Sequence, residues 1–287
     1  MFLKILAFCT PFLCLACNTD PALQAGTGPI QTDTIDLPST DLNTEFPKIF
    51  PTFTRKELQT RLQEKIANGE ALTVHLFVPL CDNENQGIVP VSAALGNGQN
   101  LQTNLYWGAR YGIKSHFERQ AAWQQITSLK DPSETILERV VFYRSYPNGA
   151  KVYLIADAYR GDKMETCLLD YLNALAGKRQ DSVQIKEQQL PIAGAADLLV
   201  FNGHNGLMDY YDTPTVENAD GRKREASVIG CISHGYFVKY LRQAQAYPLL
   251  MTTNLMAPEA YVAEALIDAW AQGRSGEEVR QAAGRAY

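Results

Sequence analysis

A histidine and a cysteine in the second half of the chain each follow a short apolar run that ends in glycine. His204 follows the segment LLVFNG, and Cys231 follows the segment ASVIG. A cysteine thiolate is a strong nucleophile, and a neighbouring imidazole can accept the thiol proton near neutral pH. The two residues therefore predict a Cys/His pair for nucleophilic catalysis, provided that the fold brings them together.

The segments before these two residues have the length and composition of buried strands. Apolar runs that are bounded by turn residues and followed by helical patterns are typical of parallel strands. In open parallel sheets, functional groups lie at the carboxyl ends of the strands. The glycines beside His204 and Cys231 permit sharp turns and a close approach of the backbone to a substrate. We therefore expect both side chains at one edge of a sheet.

Each residue also has an ordinary structural explanation. A cysteine at the end of a buried strand is often a small core residue. A histidine in a loop is often only a surface residue. His234, three residues after Cys231, is a competing partner for the thiol, although a residue in the first turn of a helix points along the helix. The succession of two strand ends favours the pair of His204 and Cys231.

Other charged residues near predicted strand ends are candidates for supporting roles. Asp209 follows His204 by five residues and could orient its imidazole. Asp157 and Arg160 lie at the end of an earlier predicted strand and could form a substrate subsite. A structural ion pair is the alternative explanation for Asp157 and Arg160.

The order of predicted elements indicates an α/β fold. Strands and helices alternate along most of the chain, which implies a mainly parallel sheet with helices on both faces. The segments 140–146 and 151–158, joined by Asn148-Gly149, predict a β-hairpin. Aromatic residues at helical spacing predict a helix over 105–126, with Trp107 and Trp123 lining a core or a groove. Residues 178–195 are polar and are predicted to be irregular.

Composition excludes several classes of partner. The net charge is −5, and the chain has no run of lysine and arginine that could follow a phosphate backbone, so no nucleic-acid partner is expected. The sequence contains no zinc-protease helix motif, no paired CxxC motif and no glycine-rich nucleotide loop. We therefore expect no metal, no nucleotide and no other cofactor.

The N-terminus has the pattern of an export signal. A short basic start precedes an apolar stretch that is too short to span a membrane, and the segment LCLAC then ends at Cys17. This pattern resembles a bacterial lipobox, which predicts a lipoprotein signal peptide at 1–17 and lipidation of Cys17. Ordinary signal-peptidase cleavage is the alternative. Residues 18–51 are predicted to form a flexible tether, and 52–287 a single folded domain.

The remaining cysteines fit an oxidising compartment. Three cysteines lie in the predicted domain, namely Cys81, Cys167 and Cys231. Because three is an odd number, at least one thiol stays unpaired within the chain. Cys81 and Cys167 are the pair considered for a disulfide, which leaves Cys231 as a thiol.

The succession of apolar strand, His-Gly region, apolar strand and cysteine resembles the caspase-like (clan CD) cysteine peptidases, which include caspases, gingipains, clostripain, separase and the bacterial CHAT group. The similarity covers roughly residues 150–287, including the helix before the His204 strand and the closing strand and helices. The resemblance implies a three-layer α/β sandwich. It also implies that His204 is the general base and Cys231 the nucleophile, with no metal or nucleotide. Backbone groups at Asn205, Gly206 and Gly230 would lie in the region that binds the oxyanion.

The chain departs from the pattern of this family at three points. Asn205 separates His204 from Gly206, whereas the family usually has glycine directly after the histidine. The interval between His204 and Cys231 is shorter than usual. Ile229 stands two residues before the cysteine, where relatives that cleave after basic residues carry an acid. Specificity for arginine or lysine is therefore not predicted.

The sequence thus predicts an exported cysteine endopeptidase, lipid-anchored at the periplasmic or cell-surface side of a bacterial membrane, that acts on a peptide or protein substrate. Two alternatives remain open. One is a non-catalytic surface lipoprotein that has a degenerate caspase-like fold and binds a peptide or a glycan through the aromatic region around Trp107 and Trp123. The other is a cytoplasmic α/β hydrolase or regulator whose first residues are not cleaved.

Overall fold

A central β-sheet organises the part of the chain that the structure describes. The structure is a computed structural model, and it describes residues 54–209, 212–213 and 215–287. All of the described residues belong to one compact unit. Three of the sheet's central strands, Ala71–Pro79, Leu198–Asn202 and Arg224–Ile229, are buried over nearly their whole length, as expected for parallel strands that are covered on both faces.

Helices and strands are interspersed along the described residues, with two runs of consecutive strands. The helices are α1 (Lys56–Ala67), α2 (Ile113–Arg119), α3 (Met164–Leu175), α4 (Ser233–Gln243), α5 (Ala260–Ala271) and α6 (Gly276–Ala286). The strands are β1 (Ala71–Pro79), β2 (Gln124–Lys130), β3 (Ile136–Ser145), β4 (Lys151–Tyr159), β5 (Gln180–Ile185), β6 (Gln188–Ala193), β7 (Leu198–Asn202), β8 (Arg224–Ile229) and β9 (Ala246–Met251).

Seven of these strands form one mixed sheet in the order β2-β3-β4-β1-β7-β8-β9. The strands from β4 to β9 in this order pair in parallel, whereas β2 and β3 form an antiparallel edge next to β4. The prediction of a mainly parallel α/β sheet is therefore confirmed. The hairpin between β3 and β4, with its Asn148-Gly149 turn, is also confirmed.

Strand β1 lies at the middle of the sheet and joins its two halves. Val74 is in register with Leu154 of β4 on one side and with Leu198 of β7 on the other. The segment ALTVHLFVP can occupy this position because eight of its nine residues are buried. The sheet core therefore depends on pairing between segments that are far apart in the sequence.

Helices cover both faces of the sheet, as the sequence predicts. Consecutive residues of a strand point to opposite faces. Arg224 reaches the carbonyl oxygen of Leu175 at the end of α3, whereas Glu225 accepts a hydrogen bond from Trp270 of α5. Helices α3 and α5 therefore lie on opposite faces. Helix α4 packs on the same face as α3, because the ring centroid of its Phe237 lies 6.2 Å from that of Tyr171 in α3 and 5.8 Å from that of Phe201 in β7.

The predicted helix over 105–126 is wrong over most of its length. Only α2 is helical in this region, and the segment ends in strand β2. Trp107 is fully buried, and its indole nitrogen donates a 2.8 Å hydrogen bond to Glu138 of β3. This contact between distant residues favours a folded loop, and the spacing of aromatic residues along the sequence does not reveal it.

Glu138 holds this loop against the sheet through several hydrogen bonds. Besides Trp107, it accepts hydrogen bonds or ion pairs from Ser128, Lys114 and Lys130. Burial raises the pKa of Glu138, but the groups bonded to its carboxylate outweigh burial and lower the pKa to about 2. The loop between β1 and β2 is therefore fixed by a buried carboxylate that stays charged.

Two further expectations are corrected. Residues 178–195 are not irregular, because β5 and β6 form an antiparallel hairpin that covers a second small core with Val141 and Ile155. Alternating burial at the end of β5, where Val183 and Ile185 are buried and Gln184 is exposed, explains why a polar composition still forms a strand. The considered disulfide between Cys81 and Cys167 is also wrong, since both are separate, buried free thiols.

Three predictions on the N-terminal region fall on residues that the structure does not describe. The signal peptide at 1–17, the lipidation of Cys17 and the tether at 18–51 all lie outside the described residues. Among the described residues, no helix has both the length and the apolar character needed to cross a bilayer.

Candidate functional site

The parallel strands β7 and β8 end side by side and deliver His204 and Cys231 to the same edge of the sheet. Asn202 and Ile229, the last residues of the two strands, are in register. His204 follows Asn202 by two residues, and Cys231 follows Ile229 by two residues. Neighbouring strands lie roughly 4.8 Å apart. The predicted pair therefore occupies equivalent positions on adjacent strand ends.

Two glycines allow the strand ends to lie against each other. The Gly203 nitrogen donates a 3.1 Å hydrogen bond to the carbonyl oxygen of Ile229, which extends the ladder by one step. A Cβ atom on Gly230 would lie 2.6 Å from the carbonyl oxygen of Gly203. Glycine is favoured at 230, because any larger residue would force the backbone at Gly203 to shift.

The imidazole of His204 is oriented by Asp209. Its Nε2 lies 3.0 Å from both carboxylate oxygens of Asp209, which ends a 3-10 turn at Gly206–Asp209. A carboxylate can only accept, so Nε2 carries the proton. The lone pair of a neutral imidazole is then on Nδ1, which is the nitrogen able to accept a proton. His204 is also buried, with 6% of its surface exposed.

The long loop after β1 packs against the carboxylate of Asp209. A Cβ atom on Gly87 would lie 2.4 Å from Oδ1 of Asp209. The absence of a side chain at 87 therefore lets the loop cover this carboxylate and limits its contact with water. Sequence reasoning assigned no role to Gly87, and a glycine in a long loop carries no distinctive signal of such a contact.

Cys231 lies at the tip of a turn between β8 and α4. Ile232, the next residue, has a φ of +47° and the left-handed conformation that β-branched residues rarely adopt. Its nitrogen donates a 3.0 Å hydrogen bond to the carbonyl oxygen of Asn254. This strained turn sends the chain directly from strand into helix and leaves the Cys231 side chain half-buried at the sheet edge.

The thiol of Cys231 contacts the main chain of Met256. Its Sγ donates to the Met256 carbonyl oxygen at 3.3 Å and accepts from the Met256 nitrogen at 3.5 Å. The segment after β9 therefore lies against the candidate nucleophile. Sequence reasoning missed Met256, because a loop contact between residues 25 positions apart leaves no mark in the local sequence.

Asn205 connects the histidine loop to the cysteine turn. Its Nδ2 donates a 2.8 Å hydrogen bond to the carbonyl oxygen of Cys231, and its Oδ1 accepts from the nitrogen of Leu207 at 3.2 Å. The side chain is fully buried. The residue that separates His204 from Gly206 thus has a defined structural role, and Gly206 itself starts the 3-10 turn that carries Asp209.

The other two cysteines of the described residues are unsuited to attack a substrate. Burial raises the pKa of the Cys81 thiol to about 11, and burial also raises the pKa of Cys167 well above its ordinary value. Both side chains are fully buried. The reactive species is the thiolate, so these environments keep both groups in the unreactive protonated form.

Asp157 and Arg160 lie apart from this pair of residues and hold other parts of the sheet. Asp157 is fully buried, where it binds Arg139 through two 2.6 Å contacts and His75 at 3.1 Å. Arg160 bonds Gln99 at 2.7 Å and so joins two loops. These contacts fit the ion-pair explanation for Asp157.

The two tryptophans of the aromatic region considered for peptide or glycan binding do not form an exposed surface. Trp107 is fully buried and Trp123 is 5% exposed. Two histidines outside the site have structural partners, since His75 bonds Asp157 and His116 lies 2.7 Å from Glu264. His234 lies in the first turn of α4, where its backbone nitrogen donates to Thr252.

Within the described residues, no group of three or more histidine, cysteine, aspartate or glutamate side chains is arranged to hold a metal ion.

The chain was compared with protein-family models, with curated proteins and with solved structures, and none of the three comparisons gave a match. The class of protein that the geometry describes is thus an α/β protein with a Cys, His and Asp set at adjacent parallel strand ends.

Proposed function

We propose that this chain is a caspase-like cysteine endopeptidase with Cys231 as nucleophile and His204 as general base. The observation that carries the proposal is the delivery of an Asp209-oriented histidine and a cysteine to neighbouring parallel strand ends. The three-layer arrangement of sheet and helices is compatible with a caspase-like sandwich.

In this mechanism the Sγ proton passes to Nδ1 of His204. The thiol first turns away from the Met256 carbonyl oxygen, to which it donates in the structure. The thiolate then attacks the carbonyl carbon of the scissile peptide bond. Backbone N–H groups of the Asn205-Gly206 and Gly230-Cys231 segments would stabilise the oxyanion.

His204 next returns the proton to the leaving amine as the C–N bond breaks, which leaves a thioester on Cys231. A water molecule, deprotonated by His204, hydrolyses that thioester and restores the thiol. Throughout the cycle Asp209 keeps Nε2 protonated and stabilises the imidazolium that forms. The reaction requires only these side chains and backbone groups.

The proposed setting is extracytoplasmic. The N-terminal pattern ending at Cys17 supports export and a lipid anchor on a bacterial membrane. A chain held there would act on peptides or proteins outside the cytoplasm. The net charge of −5 gives no support to a nucleic-acid partner.

The test is cleavage of a proteome-derived peptide mixture by the purified chain, with new peptide termini identified by mass spectrometry. We expect cleavage by the native protein and a loss of at least about a thousandfold in Cys231→Ala and in His204→Ala, since nucleophile and base act as one unit. Cys81→Ala serves as the control cysteine at another strand end and is expected to retain cleavage per folded molecule.

A non-catalytic binding protein is the second candidate, and one observation favours it. Both polar main-chain groups of Met256 contact the Cys231 sulfur, as they would around a structural cysteine. This candidate predicts no cleavage, and a rate of Cys231 alkylation by iodoacetamide that is unchanged in His204→Ala. Such a pair of results would exclude the peptidase.

A further inference from the structure

A small apolar cavity borders the segment that contacts the Cys231 thiol. Its volume is about 290 Å³. It lies between the segment after β9 and helices α5 and α6, and its lining includes Leu250, Leu255, Met256, Val262 and Ala283. A volume of this size is comparable to one large side chain with its surrounding space.

The cavity and the candidate nucleophile share one stretch of chain. Met256 lines the cavity, and its main chain contacts Sγ of Cys231 on both its N–H and C=O sides. Asn254, which also lines the cavity, accepts the hydrogen bond from the backbone of Ile232. A group bound in the cavity is therefore separated from the thiol by the main chain of Met256.

We propose that this cavity binds an apolar side chain of the peptide substrate close to the cleaved bond. The proposal rests on the peptidase function proposed above and adds the substrate class. Burial of a leucine, methionine or phenylalanine side chain is strongly favourable, so such a residue would anchor the peptide beside Cys231.

The walls can adapt to more than one apolar side chain. Leu255 is 66% exposed, so it can move onto a bound group without disturbing the core. Met256 is unbranched, and methionine fills irregular spaces readily. The substrate class is thus a peptide with a large apolar residue near the scissile bond, without a demand for one particular side chain.

Gly284 offers a way to fill the cavity without disturbing the fold. It lines the cavity on α6, and a Cβ atom built on it meets no other atom within 4 Å. Gly284→Trp would occupy the space that the substrate side chain needs. Gly284→Ala is the matched control, since it makes the same backbone change and leaves the cavity open. Thermal unfolding of both variants checks that the fold is retained.

The first experiment needs no peptidase activity. The rate of Cys231 alkylation by N-hexyl iodoacetamide is divided by its rate with iodoacetamide, and the ratio is normalised to that of N-acetylcysteine. We expect a normalised ratio of about ten, which is what burial of roughly two methylene groups supplies. The ratio should persist in Gly284→Ala and fall to about one in Gly284→Trp. A ratio of one in the native protein overturns the cavity as an apolar site.

The second experiment separates this inference from the proposed function. Peptides cleaved by the native protein are resynthesised with lysine in place of their apolar residue nearest the cut. We expect kcat/KM to fall at least about tenfold, a loss comparable to removing two buried methylene groups. Unchanged cleavage overturns the apolar specificity while leaving the peptidase function in place.

The two experiments together distinguish the two proposals. A high alkylation ratio without any cleavage supports the cavity as an apolar site and overturns peptide hydrolysis. Decanoate and an uncleaved apolar peptide are also compared as protectants of Cys231 against alkylation by iodoacetamide. If decanoate protects more strongly, the cavity binds a free acyl chain instead of a peptide side chain.

Discussion

The orientation of one imidazole decides what the site can do at the scale of single residues. Asp209 contacts Nε2 of His204 through both carboxylate oxygens, so the tautomer that leaves Nδ1 unprotonated is favoured. An unoriented histidine would share its population between two tautomers and many ring positions. The pair at Cys231 and His204 therefore depends on a third residue that contacts neither the thiol nor a substrate.

Replacing this carboxylate by an amide tests that dependence. In Asp209→Asn the amide can donate to Nε2, which favours the opposite tautomer and places the proton on Nδ1. We expect kcat to fall by about 10²- to 10⁴-fold with little change in KM. Peptide cleavage measured across pH 5 to 9 provides both values.

Asp212→Asn is the control for this substitution. Asp212 is an exposed carboxylate three residues further along the chain, and the same change of charge is made there. Its kcat should match that of the native protein. Equal losses in both variants would mean that net charge near the site, and not the tautomer of His204, accounts for the effect.

At the scale of elements, the site depends on how closely two strand ends approach. Gly230 fits against the carbonyl oxygen of Gly203 only because it lacks a side chain. The Asn205 amide then joins the two turns through the Cys231 carbonyl oxygen. A change in the separation of these ends would alter the distance between His204 and Cys231 without removing either side chain.

Gly230→Ala is expected to force that separation. The new Cβ would lie 2.6 Å from the Gly203 carbonyl oxygen, so the backbone has to shift. We expect a loss of about 1–3 kcal/mol in the free energy of unfolding, as for overpacked interiors. Urea unfolding followed by circular dichroism measures this change.

Gly235→Ala in α4 is the matched control, since its Cβ would meet the nearest atom at an ordinary 3.8 Å. Alanine is the better helix former, so stability should rise by up to about 1 kcal/mol. If Gly230→Ala unfolds at the same urea concentration as Gly235→Ala, the strand ends are further apart than the contact with Gly203 indicates.

Local sequence predicts most of the elements but not the contacts that complete the site. The runs before His204 and Cys231 predict β7 and β8, because buried parallel strands need nothing beyond a continuous apolar segment. The prediction of a helix over 105–126 is wrong because local spacing does not reveal the hydrogen bond of Trp107 to Glu138, which joins distant residues. The contact of Met256 with Cys231 depends in the same way on the whole fold.

At the scale of the whole molecule, acid stability depends on a buried network beside β1. His75 accepts a 2.9 Å hydrogen bond at Nδ1 from the nitrogen of Ala193, so its proton lies on Nε2, which faces Asp157. Burial lowers the pKa of His75 despite the neighbouring carboxylate. Burial raises the pKa of Asp157, but the hydrogen bonds from Arg139 and His75 outweigh it and lower the pKa to about 2.

Both shifts predict loss of stability on acidification. In the unfolded chain His75 binds a proton near its ordinary pKa of 6.5, whereas in the folded protein its pKa is lower. The unfolded state therefore binds more protons as pH falls below about 6.5, and the free energy of unfolding should decrease. Asp157 adds a further loss between about pH 4 and 2, where the unfolded state takes up the proton first. Urea midpoints at pH 8, 6.5, 5.5 and 4 measure the slope.

His75→Gln should reduce this slope between pH 6.5 and 5.5, because the variant has no imidazole to protonate. His116→Gln is the control, since His116 is also buried and bonded to a carboxylate. A slope in His75→Gln as steep as in the native protein would falsify the assignment to His75.

The proposed anchor is tested by the mature N-terminus. If Cys17 is lipidated after cleavage, the mature chain begins at Cys17, and its mass exceeds that of the polypeptide by the attached acyl groups. Cys17→Ala should release the protein from the membrane fraction. Intact Met1 on the mature chain would instead support the cytoplasmic alternative.

The central position of β1 has a consequence for how the chain folds. Val74 of β1 pairs with Leu198 of β7, so the pairing of β1 with β7 at the middle of the sheet cannot form until the second half of the chain is present. Folds dominated by such distant pairings have high contact order and fold slowly. The strands that deliver His204 and Cys231 belong to this late half. The sheet and the candidate site therefore cannot be complete until Cys231 has been synthesised, so more than three quarters of the chain is made before the site can exist.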